Sequence, residues 1–291
     1  MGRADLAGEQ GGTMSRISTH CELRYTVTDH STFYFAVLAA RSPYQVVTEE
    51  RLIITPELVT TRTPQPSSGH DLIRVIAEPG PLWLLYDATI ELSAFVPPVA
   101  PTVEPAFAEL PADVLEYLLP SRYCQSDLLG RLATKAFGDH SPGFERVTGI
   151  CNWVYEHLEY VPGSTDASTT AVDVLVGGAG VCRDYAHLSI SLCRALGIPA
   201  RYVSGYAVDL DPPDFHGFFE AYLGDAWYLF DATRRAPIDG LVRIAVGRDA
   251  ADVAFAVLVG EATLDSIVIS TIDLDRTEPN PIRTTAAIST A

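Results

Sequence analysis

Apolar and polar side chains alternate with a period of two along CELRYTV (21–27), the pattern of a strand with one buried face. TFYFAVLAA (32–40), ERLIITP (50–56), DLIRVIAE (71–78) and LWLLYDATIELSAFV (82–96) follow, each rich in β-branched and aromatic residues. The last two are joined by the turn sequence PGP. These segments predict an all-β domain over residues 14–100. Four prolines in the ten residues of VPPVAPTVEP (96–105) favour extended chain and mark the linker.

Beyond the linker the period changes to that of a helix. PADVLEYLL (111–119) opens with Pro111 and carries Asp113 in its first turn, and SDLLGRLATKAF (126–137) opens with a capping Ser126. Phe144, Val147, Ile150, Val154 and Leu158 share one helical face. TTAVDVLVGG (169–178) predicts a short helix stopped by glycine. The next helix opens at Cys182, aligns Tyr185, Leu188, Leu192 and Leu196, and ends at Gly197 and Pro199. Four strands then follow: ARYVSGYAV (200–208), HGFFEAYL (216–223), AWYLFDAT (226–233) and LVRIAVG (241–247). The order predicts an α+β fold, with the all-β domain followed by a second domain over 106–270, helices packed on an antiparallel sheet, and a polar tail over 271–291.

The chain has 291 residues, 47% hydrophobic and 20% charged, a globular composition. Its net charge of −17 argues against nucleic acid or an anionic membrane as partner, because both require clustered Lys and Arg. No apolar run approaches the ~20 residues needed to cross a bilayer. The opening MGRADLAGEQGGTMSRIS lacks the apolar stretch of a signal peptide, so the expected location is cytoplasmic, with Met1 or Met14 as initiator. Five cysteines, odd in number and without a C-x-x-C pair, support neither a zinc ribbon nor a disulfide framework. GGAG (177–180) is not followed by Gly-Lys-Ser/Thr, so it is no phosphate loop. The acidic loop holding Asp209, Asp211 and Asp214 lacks the glycine and distal glutamate of an EF-hand. No cofactor or metal is expected. The acidic loop favours a cationic substrate.

The candidate chemistry lies at Cys182. A thiol at a helix N-terminus, beside flexible glycines, is placed where its thiolate is favoured. A nucleophile also needs a proton carrier. His187 is five residues on, about 140° around the helix, and is expected to pack behind it; Cys193 is expected in the core. His216 begins a strand, and Asp231 ends the next one fifteen residues later. A hairpin turning at Gly224 and Asp225 places the two side by side, where a carboxylate orients an imidazole.

GAGVCRDYAHLSISLCRALGIPARYVSGY, the histidine after it and then WYLFDAT resemble the transglutaminase-like superfamily, in its bacterial transglutaminase-like/cysteine protease branch. The β-rich N-terminal half and IDGLVRIAVGRDAADVAF (238–255) are also similar to that branch. The resemblance implies a papain-like core with a catalytic Cys-His-Asp triad, carried over to Cys182, His216 and Asp231. Two neighbours depart from the family pattern: His-Ala-Trp is His216-Gly217-Phe218 here, and Asp-Pro-Thr is Asp231-Ala232-Thr233. The Cys182 backbone N–H is the expected first donor to an oxyanion; the second has no assignment.

The expected activity is thiol-dependent acyl chemistry on a peptide or protein substrate through a thioester. Resolution by water, as in a cysteine protease or amidase, is favoured slightly over transfer to an amine, as in a protein-glutamine transglutaminase. The rival from another class is a non-catalytic protein-binding module. Oligomeric state is open.

Overall fold

The computed structural model describes residues 14–65, 69–97, 99–276 and 288–290. Alternation along the N-terminal segments becomes two four-stranded antiparallel sheets. The strands are β1 (Met14–Val27), β2 (Ser31–Phe35), β3 (Gln45–Thr55), β4 (Thr60–Gln65), β5 (His70–Ala77) and β6 (Gly80–Ser93). Along β6 every second residue from Leu82 to Leu92 is buried, one face inward and one outward. Tyr25 of β1 meets Phe33 and Phe35 of β2 at ring-centroid distances of 5.1 and 5.9 Å, so the two sheets pack face to face around an aromatic centre.

The predicted helix over 111–119 is a correction. A turn closed by Val114 N–H to Pro111 O at 3.0 Å leads into a single 3₁₀ segment, Leu115–Leu118, and Leu119 is extended with ψ 148°. Pro120 explains the stop, because a residue preceding proline is driven out of the helical region. Four α-helices form where the period indicates: α1 (Ser126–Phe137), α2 (Phe144–His157), α3 (Ala171–Gly177) and α4 (Cys182–Ala195). The expected cap at Ser126 is a correction: Gln125 holds the N-cap position, its side chain makes no capping bond, and Ser126 is the first helical residue. Two-residue strands β7 (Glu159–Tyr160) and β8 (Ala179–Gly180) pair in parallel beside the start of α4. α4 is buried along nearly its whole length, from Asp184 to Arg194. It packs between the other helices and a third sheet of β9 (Ala200–Ala207), β10 (His216–Leu223), β11 (Ala226–Phe230) and β12 (Leu241–Gly247). The strand order of that sheet is β11-β10-β9-β12.

Sheet membership does not follow the division of the chain at residue 270. β13 (Ala256–Val259) pairs with β2, and β14 (Ala262–Asp273) pairs with β1 along its full length. The N-terminal sandwich therefore takes one edge strand of each sheet from beyond the third sheet, while β3 and β4 form the other edges. Ser289 bridges to Phe95, and Leu229 N–H donates to Ile288 O at 2.8 Å, so residues 288–290 join the sandwich to the third sheet. The rest of the expected tail after 276, and the opening residues 1–13, lie outside the described residues. Among the described residues, no helix is long and apolar enough to cross a membrane.

Candidate functional site

Cys182 is the first residue of α4, and the turn that delivers it is held by a carboxylate. Asp184 is fully buried; its Oδ2 accepts from Val181 N–H at 2.9 Å and from Thr165 Oγ1 at 2.6 Å. Its Oδ1 accepts from Arg183 Nε and Nη2 at 3.1 and 2.9 Å. This satisfies an otherwise orphaned donor at the helix start. Gly180 allows the turn to close, since a Cβ there would stand 2.8 Å from Asp184 Cβ. Of the glycine-rich stretch, Gly180 is close-packed against the helix start, whereas Gly177 and Gly178 have open space around them. Cys182 is half-buried, and its Sγ lies 4.0 Å from Phe215 O.

Phe215 immediately precedes His216, so the thiol sits beside the start of β10. His216 and Asp231 are both buried, and His216 Nε2 donates to Asp231 Oδ2 at 2.8 Å. The β10–β11 hairpin brings them together, with Phe219 opposite Phe230. Asp231 Oδ1 accepts from Thr233 N–H at 2.8 Å and Thr233 Oγ1–H at 2.7 Å, which fixes the carboxylate plane. With Nε2 engaged, Nδ1 is the ring nitrogen left for the thiol, and it has no hydrogen-bond partner. Burial opposes charge on the ring, but Asp231 and the Cys182 sulfur outweigh it, and the His216 pKa is raised to about 10. Burial likewise opposes ionisation of Asp231, while His216 and Thr233 hold its pKa below the ordinary carboxylate value.

The other cysteines differ from Cys182. Burial pushes the pKa of Cys21 and of Cys124 up to about 12, and raises those of Cys151 and Cys193 as well. His187 packs behind α4: its Nε2 accepts from Ala250 N–H at 3.1 Å and its ring stacks on Tyr123 at 5.1 Å. Burial, then nearby Arg183 and Arg194, depress its pKa well below the usual histidine value. In the acidic loop, Asp214 is raised by burial and accepts from Phe215 N–H at 2.7 Å, while the Asp211 carbonyl accepts from Arg235 Nη2 at 2.5 Å. Among the described residues no group of three or more His, Cys, Asp or Glu side chains is arranged to hold a metal ion.

The departure at position 217 has a packing cause. A Cβ on Gly217 would lie 2.3 Å from the Tyr202 hydroxyl, so the tyrosine occupies the space an alanine would need. Asp184, Thr233, Tyr202 and Tyr160 were not singled out as site residues from the sequence. Asp184 carries a local signal, an acid at the third position of a helix opened by Cys182; the others reach the site only through strand pairing or a turn.

A family model described as the transglutaminase-like superfamily matches residues 131–232. A proposed cysteine protease from Cytophaga hutchinsonii has a solved structure that superposes with a TM-score of 0.89 at 40% identity, covering 95% of this chain and 98% of that one. An uncharacterized protein of Mycobacterium leprae is 31% identical over 151 residues, 48% of this chain and 53% of that protein. The chain thus spans about half the length of that curated relative. An uncharacterized protein of Mycobacterium tuberculosis is 28% identical over 210 residues, 68% of this chain and 67% of that protein.

Proposed function

Because the chain belongs to the transglutaminase-like superfamily, we propose that it performs thiol-dependent acyl chemistry on amide or peptide carbonyls, with Cys182, His216 and Asp231 as its triad. The observation that carries this reading is the buried 2.8 Å His216–Asp231 pair, which leaves Nδ1 unpartnered on the side of a half-exposed thiol. Nδ1 takes the thiol proton, giving a thiolate–imidazolium pair that Asp231 stabilises. The sulfur attacks the carbonyl carbon; the C–S bond forms and the carbonyl electron pair moves to oxygen. On collapse the C–N bond breaks, and the imidazolium proton goes to the departing nitrogen. Water, deprotonated at Nδ1, then attacks the thioester and releases the acid and the thiol.

Hydrolysis is the preferred outcome. The likeness to a proposed cysteine protease at 40% identity over nearly the whole chain supports it. The test is mass spectrometry of a mixed peptide pool incubated with the protein, with and without putrescine, and with Cys182→Ala as control. New peptide termini or deamidated glutamine are expected from the wild type alone. Putrescine incorporated into glutamine would replace hydrolysis by transamidation. An unchanged pool, with Cys182 no more reactive to iodoacetamide than the buried cysteines, would overturn the enzyme reading in favour of a binding module.

A further inference from the structure

Residues 288–290 form a strap that reaches the back of the triad as well as the sandwich. The strap lies along β11, an edge strand of the third sheet. Its link to that strand is the bond from Leu229 N–H to Ile288 O. Leu229 stands two residues before Asp231, so the bond steadies the strand end that carries the carboxylate. The Ile288 side chain is 3% exposed and packs in an apolar cluster with Leu229, Phe218, Val203 and Ala94. Phe218 stacks in turn on the His216 ring, with centroids 6.0 Å apart. One short segment thus reaches Asp231 along β11 and His216 through Phe218.

The strap is itself held firmly. Ser289 N–H donates to Phe95 O at 2.9 Å, and Phe95 N–H donates to Ser289 O at 2.8 Å. Thr290 O accepts from Arg243 Nη1 at 2.7 Å and from Ser42 Oγ at 3.3 Å. Arg243 also pairs with buried Glu220, the residue opposite Leu229 on β10. Ile288, Ser289 and Thr290 are all buried. Without the strap, Leu229 N–H would lose its partner on an open strand edge, and Phe218 would lose packing beneath the imidazole. A catalytic constellation tolerates little such loosening, since a misplacement of about 1 Å can cost on the order of 10²-fold in rate.

We propose that Ile288–Thr290 are positioning residues for the triad: by pairing with Leu229 and packing on Phe218, they hold Asp231 and His216 where the ring can serve Cys182. This rests on the acyl reading above. The strap acts through Leu229 and Phe218 and not on the reacting atoms. Its anchors on Phe95, Ser42 and Arg243 make the sandwich and the third sheet a common footing for the His216–Asp231 pair.

The test separates positioning from stability in the full chain. Ser289→Pro removes the N–H that Phe95 O receives, and Ile288→Ala removes apolar contact beneath Phe218. Leu84→Ala, a sandwich-core change, serves as the comparator. Circular dichroism and urea unfolding follow the fold, and every variant is assayed below its transition; if Ser289→Pro does not fold, Ile288→Ala decides. A thiolate–imidazolium pair keeps Cys182 open to iodoacetamide in mildly acid buffer, so the ratio of the alkylation rate near pH 6 to that near pH 9 reports the His216 partnership without any substrate. In the strap variants this ratio, and kcat on a cleaved peptide, are expected to fall by on the order of tenfold, within the range that a small misplacement costs. Ile288→Val and Leu84→Ala should keep the wild-type ratio. Strap variants that lose stability but keep the wild-type ratio or kcat would overturn the proposal, as would an equal fall in Leu84→Ala. If wild type and His216→Ala share one ratio, the thiol is not paired with His216; the acyl reading then falls, and the role of the strap falls with it.

Discussion

The sandwich and the third sheet bury different kinds of side chain. Inside the sandwich the fully enclosed residues are mostly apolar and include Ile17, Leu23, Phe33, Leu84, Tyr86 and Ile90. Around the third sheet, His216, Glu220, Asp231 and Arg243 are buried, and α4 adds Asp184, His187 and Arg194. Glu220, Asp231, Asp184 and Arg194 keep no buried side-chain polar atom without a partner. Glu220 takes Arg201 at 2.6 Å and also pairs with Arg243. Arg194 donates to the carbonyls of Ala200, Leu119 and Arg248. Replacing a buried ion pair by apolar side chains is often neutral or stabilising, so such clusters are weak evidence for stability. The contrast teaches that the sandwich interior is built for stability, while the interior around the site holds charged groups at fixed positions. His216 keeps Nδ1 without a partner, as do His187 at Nδ1 and Arg243 at Nε.

Breaking the positioned group should produce the largest effect. His216→Ala is expected to lower kcat/KM by on the order of 10⁴–10⁶-fold with the fold intact. His187→Ala should leave kcat/KM of the folded protein unchanged and lower only its stability. Steady-state kinetics with circular dichroism decide; a reversal of the two would make His187 the proton carrier. In the sandwich, Leu84→Ala is expected to cost about 2–5 kcal/mol in urea unfolding, through lost burial and the cavity it leaves. Its kcat should match the wild type below the transition, and a large fall would show that the sandwich shapes the site.

α1 runs over Ser126–Phe137, and α4 begins at Cys182, as periodicity indicates, but Ser126 is the first helical residue and not the cap. The His216–Asp231 contact follows from one hairpin whose turn is visible in Gly224 and Asp225. Local pattern reveals that a segment is a strand but not which strand it pairs with. The segments expected as strands end at residue 247, so β13 and β14 themselves, as well as the pairings of β14 with β1 and of Tyr160 with Gly180, were not legible. The segment 111–119 misled because its apolar spacing is helical, while Pro120 acts only on the residue before it.

Two smaller effects sharpen the comparison. Gly217→Ala should cost about 1–3 kcal/mol by overpacking against the Tyr202 hydroxyl. Adding Tyr202→Phe should recover part of that loss in urea unfolding; strict additivity of the two would show that they do not share the space. The last effect concerns pH. A raised histidine pKa contributes stability that is complete below its ordinary value of ~6.5. That contribution declines as pH rises and is lost by about 10. Asp231, with its pKa lowered, contributes above its ordinary ~3.9 and loses that contribution as pH falls through its folded value. The stability difference between wild type and Asp231→Asn should thus be largest near pH 5–6 and shrink toward pH 10. A difference that stays constant from about pH 7 to 10 would show that the ring is neutral in the folded protein.

The edge strand β14 also sets the order of assembly. Ile17 lies opposite Asp273, and Val27 opposite Ala262, so β1 meets this partner only after the whole thiol-bearing region has been synthesised. β6 reaches β1 much earlier, with Met14 opposite Ser93. Pairings distant in sequence carry the larger loop-closure cost and form slowly. During synthesis the sandwich therefore waits as an open sheet, its β1 edge unpaired, until the last strand arrives. The platform that supports the nucleophile is closed after the nucleophile's own helix has been made, and in that interval the bare edge is the part of the nascent chain most exposed to association with another strand.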